Sequence, residues 1–278
     1  MQAGSLANLQ VIALVAFLLI VALFFGAPLL WLVLSSFDPN ASPEFKVPSS
    51  PTLSHYLGLN RPIGNATPLR WIVNSIILSA ATATLTTLVA VLSAYTLTRH
   101  PLRWQKGFIT LLVVFRLTPS IVLAVPVMVL LRAVGMLNSY TSLVIVMTAL
   151  ILPFAIMILE SYFRAIPVDY EEAAVIDGLS RPEAFLRITL PLAAPGIATV
   201  WLLAFVIMWS EFVIPVFILG DPAKYPASVG LWFFFGEHGR VDYGRLSAFS
   251  ILYSIPAVIV FLVIRKHLER GLAALASR

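Results

Sequence analysis

The sequence contains no cysteine, little charge and no phosphate-binding loop, and each absence removes a class of function. Without cysteine there is no disulfide and no thiolate metal site. Only 11% of the 278 residues are charged, against about a quarter in an ordinary soluble domain. Gly-x4-Gly-Lys-Ser/Thr occurs nowhere, so the chain lacks the loop that cradles ATP phosphates. The four histidines, His55, His100, His238 and His267, fall in separate segments and form no His/Asp/Glu cluster of the kind an enzyme needs. No catalytic, cofactor-binding or metal-binding residue is therefore assigned.

What the chain has is apolar length. It is 60% hydrophobic, with a mean hydropathy of +0.95. Crossing roughly 30 Å of hydrocarbon takes about 20 helical residues, and six runs suffice, at about 11–34, 71–98, 108–131, 140–161, 195–219 and 246–264. They are continuous rather than alternating, which favours helices over barrel strands. The sequence thus predicts an all-α polytopic membrane protein, one transmembrane domain over residues 1–278. The first run is too long, and too poor in preceding basic residues, to be a cleaved signal peptide.

Basic residues orient the spans. Arg99, Arg103 and Lys106 crowd the loop after the second span, and Arg265, Lys266, Arg270 and Arg278 follow the sixth. On the other side Lys46, Arg61, Arg70, Arg132, Lys224, Arg240 and Arg245 are dispersed. The positive-inside rule then puts both termini in the cytoplasm. It also accounts for the net charge of +5 without a nucleic-acid partner. Residues 38–68, rich in Pro, Ser and Asn, read as an irregular outer cap with a short helix near Tyr56. In the other outer loop, 220–244, an aromatic run stands beside Glu237 and His238. It reads either as an interfacial belt on the bilayer or as a contact for an external partner, with Trp232, Phe233, Phe234, Glu237 and His238 as candidates.

One cytoplasmic segment, about 164–191, is polar and acid-rich. Asp169 with Glu172 has capping-box spacing, the acids suit a helix N-terminus, and Gly178 stands where a left-handed glycine would end the helix. A helix over Tyr170 to Asp177 is two turns, roughly 12 Å. Ser180, Pro182 and Glu183 start a second helix, about Arg181 to Thr189, which Leu190-Pro191 ends. The two form a knob. Ala173, Ala174 and Gly178 are small enough to let another surface approach closely.

Glu172-Ala173-Ala174-x3-Gly178-x9-Ile188-x-Leu190-Pro191 resembles, at every fixed position, the signature loop of permease subunits of binding-protein-dependent ABC importers. The resemblance covers nearly the whole chain. Trp71-x2-Asn74-Ser75, Ala94-Tyr95-x3-Arg99, Phe163-x2-Ile166-Pro167 and Trp209-Ser210-Glu211-Phe212 are similar to the maltose-permease type of the carbohydrate branch. Ser210 replaces the usual Asn, and the C-terminal Gly271-Leu272-Ala273-Ala274-Leu275 matches the family ending only in part. With its basic residues mostly Arg, the chain also looks like permeases of actinobacterial trehalose importers.

This resemblance implies a type I importer permease in the bacterial cytoplasmic membrane. The knob would be a coupling helix seated on ATP-binding subunits (two copies), which would hold the ATP and magnesium. A sister permease, as a heterodimer, and an extracytoplasmic sugar-binding protein would complete the machine. Glu171, Glu172, Ala173, Ala174, Asp177, Gly178 and Pro191 would form the ATPase contact, with Glu172 the ion-pairing acid. The cargo would be a di- or oligosaccharide such as trehalose.

Ionisable groups inside spans are functional candidates, since each costs about 2.5–3.5 kcal/mol on insertion scales. Glu211 is either a structural carboxylate or part of a gate or sugar contact, with Trp209, Ser210 and Phe212 beside it. Asn74 reads as an interhelical hydrogen-bonding residue or a pathway residue. Arg116 reads as snorkelling to the inner surface. Pro119, Pro126, Pro153, Pro215 and Pro256 are candidate kinks. The competing class, an ion-coupled secondary transporter, would show an internal repeat and more ionisable groups or broken helices at mid-membrane.

Overall fold

The structure, a computed structural model, describes residues 2–100, 118–235 and 241–276, with 105, 107, 110, 111 and 114. The described residues form helices and irregular segments, with no strand among them. Long apolar runs in a chain whose backbone must satisfy its own hydrogen bonds leave little alternative.

The chain divides into two compact units. The first comprises Met1–Pro62 and Leu231–Ser254. Helix α1, Gln2–Phe37, includes an apolar span, Val11–Phe37, in which no residue before Ser35 is buried within the chain. Such an all-round apolar surface belongs in lipid or against another membrane helix. A short helix, α2 (Ser54–Gly58), forms at Tyr56 as expected. His55 Nε2 lies 2.8 Å from the Asp38 carbonyl oxygen, and Lys46 reaches the Asp38 carboxylate at 3.1 Å.

The second unit is Ile63–Gly230 with Ile255–Arg278. It begins with α3 (Pro68–Arg99), whose proline stands at the start, where its missing N–H is harmless. Then come α4 (Ser120–Ala133) and α5 (Tyr140–Ala165). The knob consists of α6 (Asp169–Ile176) and α7 (Arg181–Ala184), which runs through a π turn, Phe185–Thr189, into α8 (Leu190–Leu192). After a 71° bend the chain enters α9 (Ala194–Ser210), then α10 (Val213–Ile218) and α11 (Ala227–Gly230). A final long helix, α12 (Tyr243–Ala276), starts in the first unit.

Small residues on α3 set the packing. Ala90 and Ala94 are fully buried in a cluster with Ala155, Leu159 and Phe163 of α5 and Val200 of α9. With no hydrophobic drive between helices in lipid, close backbone approach supplies dispersion contact instead.

Among the described residues, four helical stretches are long and apolar enough to cross a membrane: Val11–Phe37, Pro68–Arg99, Tyr140–Ala165 and Tyr243–Val260. The bent pair Arg181–Leu192 and Ala194–Ser210 passes jointly as a fifth. Helix α4, with 14 residues, is too short alone. Part of the expected third span, with Arg116, lies outside the described residues. The run expected as one span at 195–219 is two helices, parted at Glu211 and Phe212. Pro126, Pro153 and Pro256 do lie inside helices, whereas Pro119 stands at the N-cap of α4 and Pro215 in α10.

Candidate functional site

The knob is built by local signals, most of them those the sequence announced. Gly178 has φ +98°, and the Gly178 and Leu179 amides donate to the Val175 and Ala174 carbonyls at 3.0 and 3.1 Å. That pair of bonds is a Schellman end. Ser180 starts the next helix with its capping box, its amide and hydroxyl reaching Glu183 Oε2 at 2.9 and 2.7 Å.

Two local expectations are corrected. Asp169 is the first residue of α6, not its cap, because the Val168 carbonyl accepts the Glu171 and Glu172 amides at 2.9 and 3.1 Å and leaves the Asp169 side chain no such task. Pro191 does not end the second helix. The Leu190 amide donates five residues back, to Phe185, and this widened turn lets the helix run on to Leu192 past a residue that has no N–H to give. The same turn leaves Leu186 on the outside, 57% exposed.

Within the knob the two neighbouring acids have opposite roles. Glu171 points inward. Its Oε1 accepts Arg99 Nε at 2.8 Å, Arg99 Nη2 at 2.7 Å and the Thr189 hydroxyl at 2.7 Å, while Oε2 accepts the Tyr95 hydroxyl at 2.8 Å. Arg99 Nη2 also reaches the Ile166 carbonyl at 3.2 Å. Burial pushes the Glu171 carboxyl up, but the bonds from Thr189, Arg99 and Tyr95 together outweigh it and hold it below its ordinary value. The Tyr95 ring packs on Phe185 and Phe163, with centroids 4.3 and 5.9 Å away. Four of the bonds that the Glu171 carboxylate accepts thus come from within the chain.

Glu172 is exposed, as are Ala173, Asp177, Gly178 and Pro191, whereas Ala174 is buried. Around them the knob presents apolar side chains: Ile176 is 85% exposed and Tyr170 56%. A cavity of about 890 Å³ lies between the knob and the last turns of α3, lined among others by Tyr95, Arg99, Glu171, Glu172, Ile176 and Arg181. Tyr95, Arg99 and Thr189 were missed as site residues. The four-residue spacing of Tyr95 and Arg99, which puts them on one helix face, was the available signal. Glu160 was missed too; it is buried and accepts from Gln105 and Arg164 at 3.0 and 2.6 Å.

At the other end of α3 a second clasp forms. Asn74 Nδ2 donates to the Ala223 and Tyr225 carbonyls, both at 3.0 Å, so it holds a loop rather than a neighbouring helix. Trp71 Nε1 reaches the Pro222 carbonyl at 2.8 Å, and Ser75 Oγ accepts the Ala227 amide at 2.7 Å. Gly230 packs so closely on the Trp71 ring that a Cβ there would collide with it.

Glu211 marks the break between α9 and α10. Its Oε1 accepts the Val213 and Ile214 amides at 2.9 and 3.2 Å, and its carbonyl accepts Ser228 Oγ at 2.7 Å. The carboxylate therefore restarts a helix, and it also lines a cavity of about 480 Å³ with Ser120, Met147 and Phe154. Trp209 is buried, stacked on Phe205, which stacks on Trp201. Ser210 bonds back to Val206, and Phe212 is exposed. In the first unit Trp232 is 70% exposed, but Phe234 is buried against Phe249. Phe233 is partly buried, and Glu237 and His238 lie outside the described residues.

Fold and site together define a multi-span helical membrane component with a two-helix knob. A family described as the binding-protein-dependent transport system inner membrane component matches residues 86–274, and the chain belongs to it. SmoH of Agrobacterium fabrum, a sulfoquinovosyl glycerol transport system permease protein, is 32% identical over 89% of this chain and 87% of its own. MalG of Thermococcus litoralis, a trehalose/maltose transport system permease protein, is 31% identical over 89% of each chain. A crystal structure of a bacterial ABC transporter that imports alginate has a chain with the same fold, at TM-score 0.79 and 21% identity over 93% of this chain and 96% of that one.

Proposed function

We propose that this chain is a permease subunit of an ATP-driven carbohydrate importer and that the knob is its coupling helix, docked on a separate ATP-binding subunit. The observation that carries this reading is the knob itself: a two-turn helix with an outward apolar face, held by a buried ion pair. An exposed apolar surface of this kind calls for a partner. The named cargoes of the relatives favour a sugar, and their variety leaves the family likeness compatible with trehalose or another di- or oligosaccharide.

The full assembly would contain two ATPase copies, a sister permease and an external binding protein. Six spans would place both termini and the knob in the cytoplasm. The pathway would pass the cavity beside Glu211, with Trp209, Ser210 and Phe212 at the helix break. Exposed Trp232 would face the binding protein or the bilayer surface. An ion-coupled secondary transporter would have no use for the knob.

The experiment is to purify the tagged chain from its native membrane and reconstitute the complex with its cognate binding protein, carrying the sugar that protein retains. Co-purification of an ATPase and vanadate-sensitive uptake of that sugar are expected. Uptake that persists without ATP, driven by an ion gradient, would overturn the reading.

A further inference from the structure

Helix α6 is eight residues long and buries only Ala174, so apolar packing cannot hold it firmly. Its firm attachment is the Glu171 carboxylate, which takes three of its four bonds from Tyr95 and Arg99 in the last two turns of α3. The first turns of the same helix hold residues 222–227 through Trp71, Asn74 and Ser75. Asn74 and Arg99 are about 37 Å apart along the axis at 1.5 Å per residue. Between them α3 has no proline and no break, whereas α1, α4, α5 and α12 each contain an internal proline. The covalent route from the knob to residues 222–227 is broken three times, by the 71° bend before α9, at Glu211 and after Ile218.

We propose that α3 is the connecting rod of the permease: it passes displacement between the knob and the 222–227 segment, with the Glu171–Arg99 pair and the Asn74 clasp as its two couplings. This rests on the reading of the knob as the ATPase contact. Glu171, Arg99 and Asn74 are positioning residues in it, acting on the ATPase and the far end through the elements they fix. Long-range coupling needs an element that both ends bias, and an unbroken helix clasped by directional bonds at each end is such an element. A broken helix between the same points would take up displacement at its breaks.

The test uses the reconstituted complex and measures how many fold the binding protein, with the sugar it retains, stimulates ATP hydrolysis. Glu171→Gln and Asn74→Ala are each expected to cut that stimulation about tenfold, within the usual range of coupling between sites. Because both would disconnect one rod, the double variant should be no worse than the more severe single. Purely structural effects at sites so far apart add, and an additive loss, or no loss in either single, overturns the rod.

A second measurement leaves the network intact. The chain has no cysteine, so Leu69→Cys and Val168→Cys give it two unique labelling sites, which are spin-labelled on the purified chain before it is reconstituted into the complex. Their separation should stay fixed between nucleotide-free and ATP–vanadate states, and a change in it contradicts a rigid rod. Wild-type complex that shows no stimulation at all would instead overturn the ATPase reading, and the rod with it.

Discussion

Two carboxylates sit at interruptions of the helical bundle, and they use their oxygens differently. Glu171 gathers four donors, from Tyr95, Arg99 and Thr189, so it joins elements 18 to 76 residues apart in sequence. The Glu211 carboxylate accepts the amides two and three residues ahead of it, so that side chain only lets the chain turn and start again, while the backbone carbonyl takes the Ser228 hydroxyl. The difference separates a pin from a hinge. A long-range pair makes two elements move together, while a local cap stabilises a break without tying it to anything distant.

Glu171→Ala should have the largest effect, because Arg99 has only 8% of its side chain exposed and would be left with its charge uncompensated. Removing one partner of a buried pair costs about 3–5 kcal/mol, so thermal unfolding of the solubilised complex should come at a clearly lower temperature. Acid should reproduce part of this loss. Since the folded-state value of Glu171 is lowered, the pair's stabilisation is present above the unfolded value of 4.5 and disappears as pH falls below it. The Glu171→Gln variant should lack that component when melting is followed from neutral pH downward.

Gly178→Asp comes next. The site has room, with no atom within 4 Å of an added Cβ, but its φ of +98° suits glycine. Forcing another residue left-handed costs about 1–2 kcal/mol. We expect the complex to assemble and hydrolyse ATP with uptake lost; normal uptake would remove the knob from the coupling route. Glu211→Ala loses a cap, typically about 1 kcal/mol, and its melting should shift less than that of Glu171→Ala. A larger shift would make the outer break a pin after all. Glu172→Ala should be smallest: folding within about 0.5 kcal/mol of wild type, as for surface positions, with weaker ATPase retention as its one visible effect.

Much of the knob was legible in the sequence because its signals are local. Gly178 and the Ser180–Glu183 pair fix the backbone within a few residues, and the structure has them as expected. Which of two adjacent acids turns inward is not a local matter. On a helix Glu171 and Glu172 point about 100° apart, and the choice is made by Tyr95 and Arg99 more than 70 residues earlier. The same limit applied to Asn74, whose partners are loop carbonyls about 150 residues on. The break at Glu211 was hidden for a different reason. Composition stays apolar through Phe212 and Pro215, and hydropathy measures the length of a run without registering whether its helix is continuous.

In the proposed coupling, Glu171 ties the knob to α3 while Glu172 is left to face the ATPase. Exchanging the charges, with Glu171→Arg and Arg99→Glu together in the reconstituted complex, tests it most directly. Each single change should abolish stimulation of ATP hydrolysis by the binding protein, and the exchange should restore a substantial part of it. An exchange no better than the worse single variant, in a complex that still retains its ATPase, would contradict this coupling.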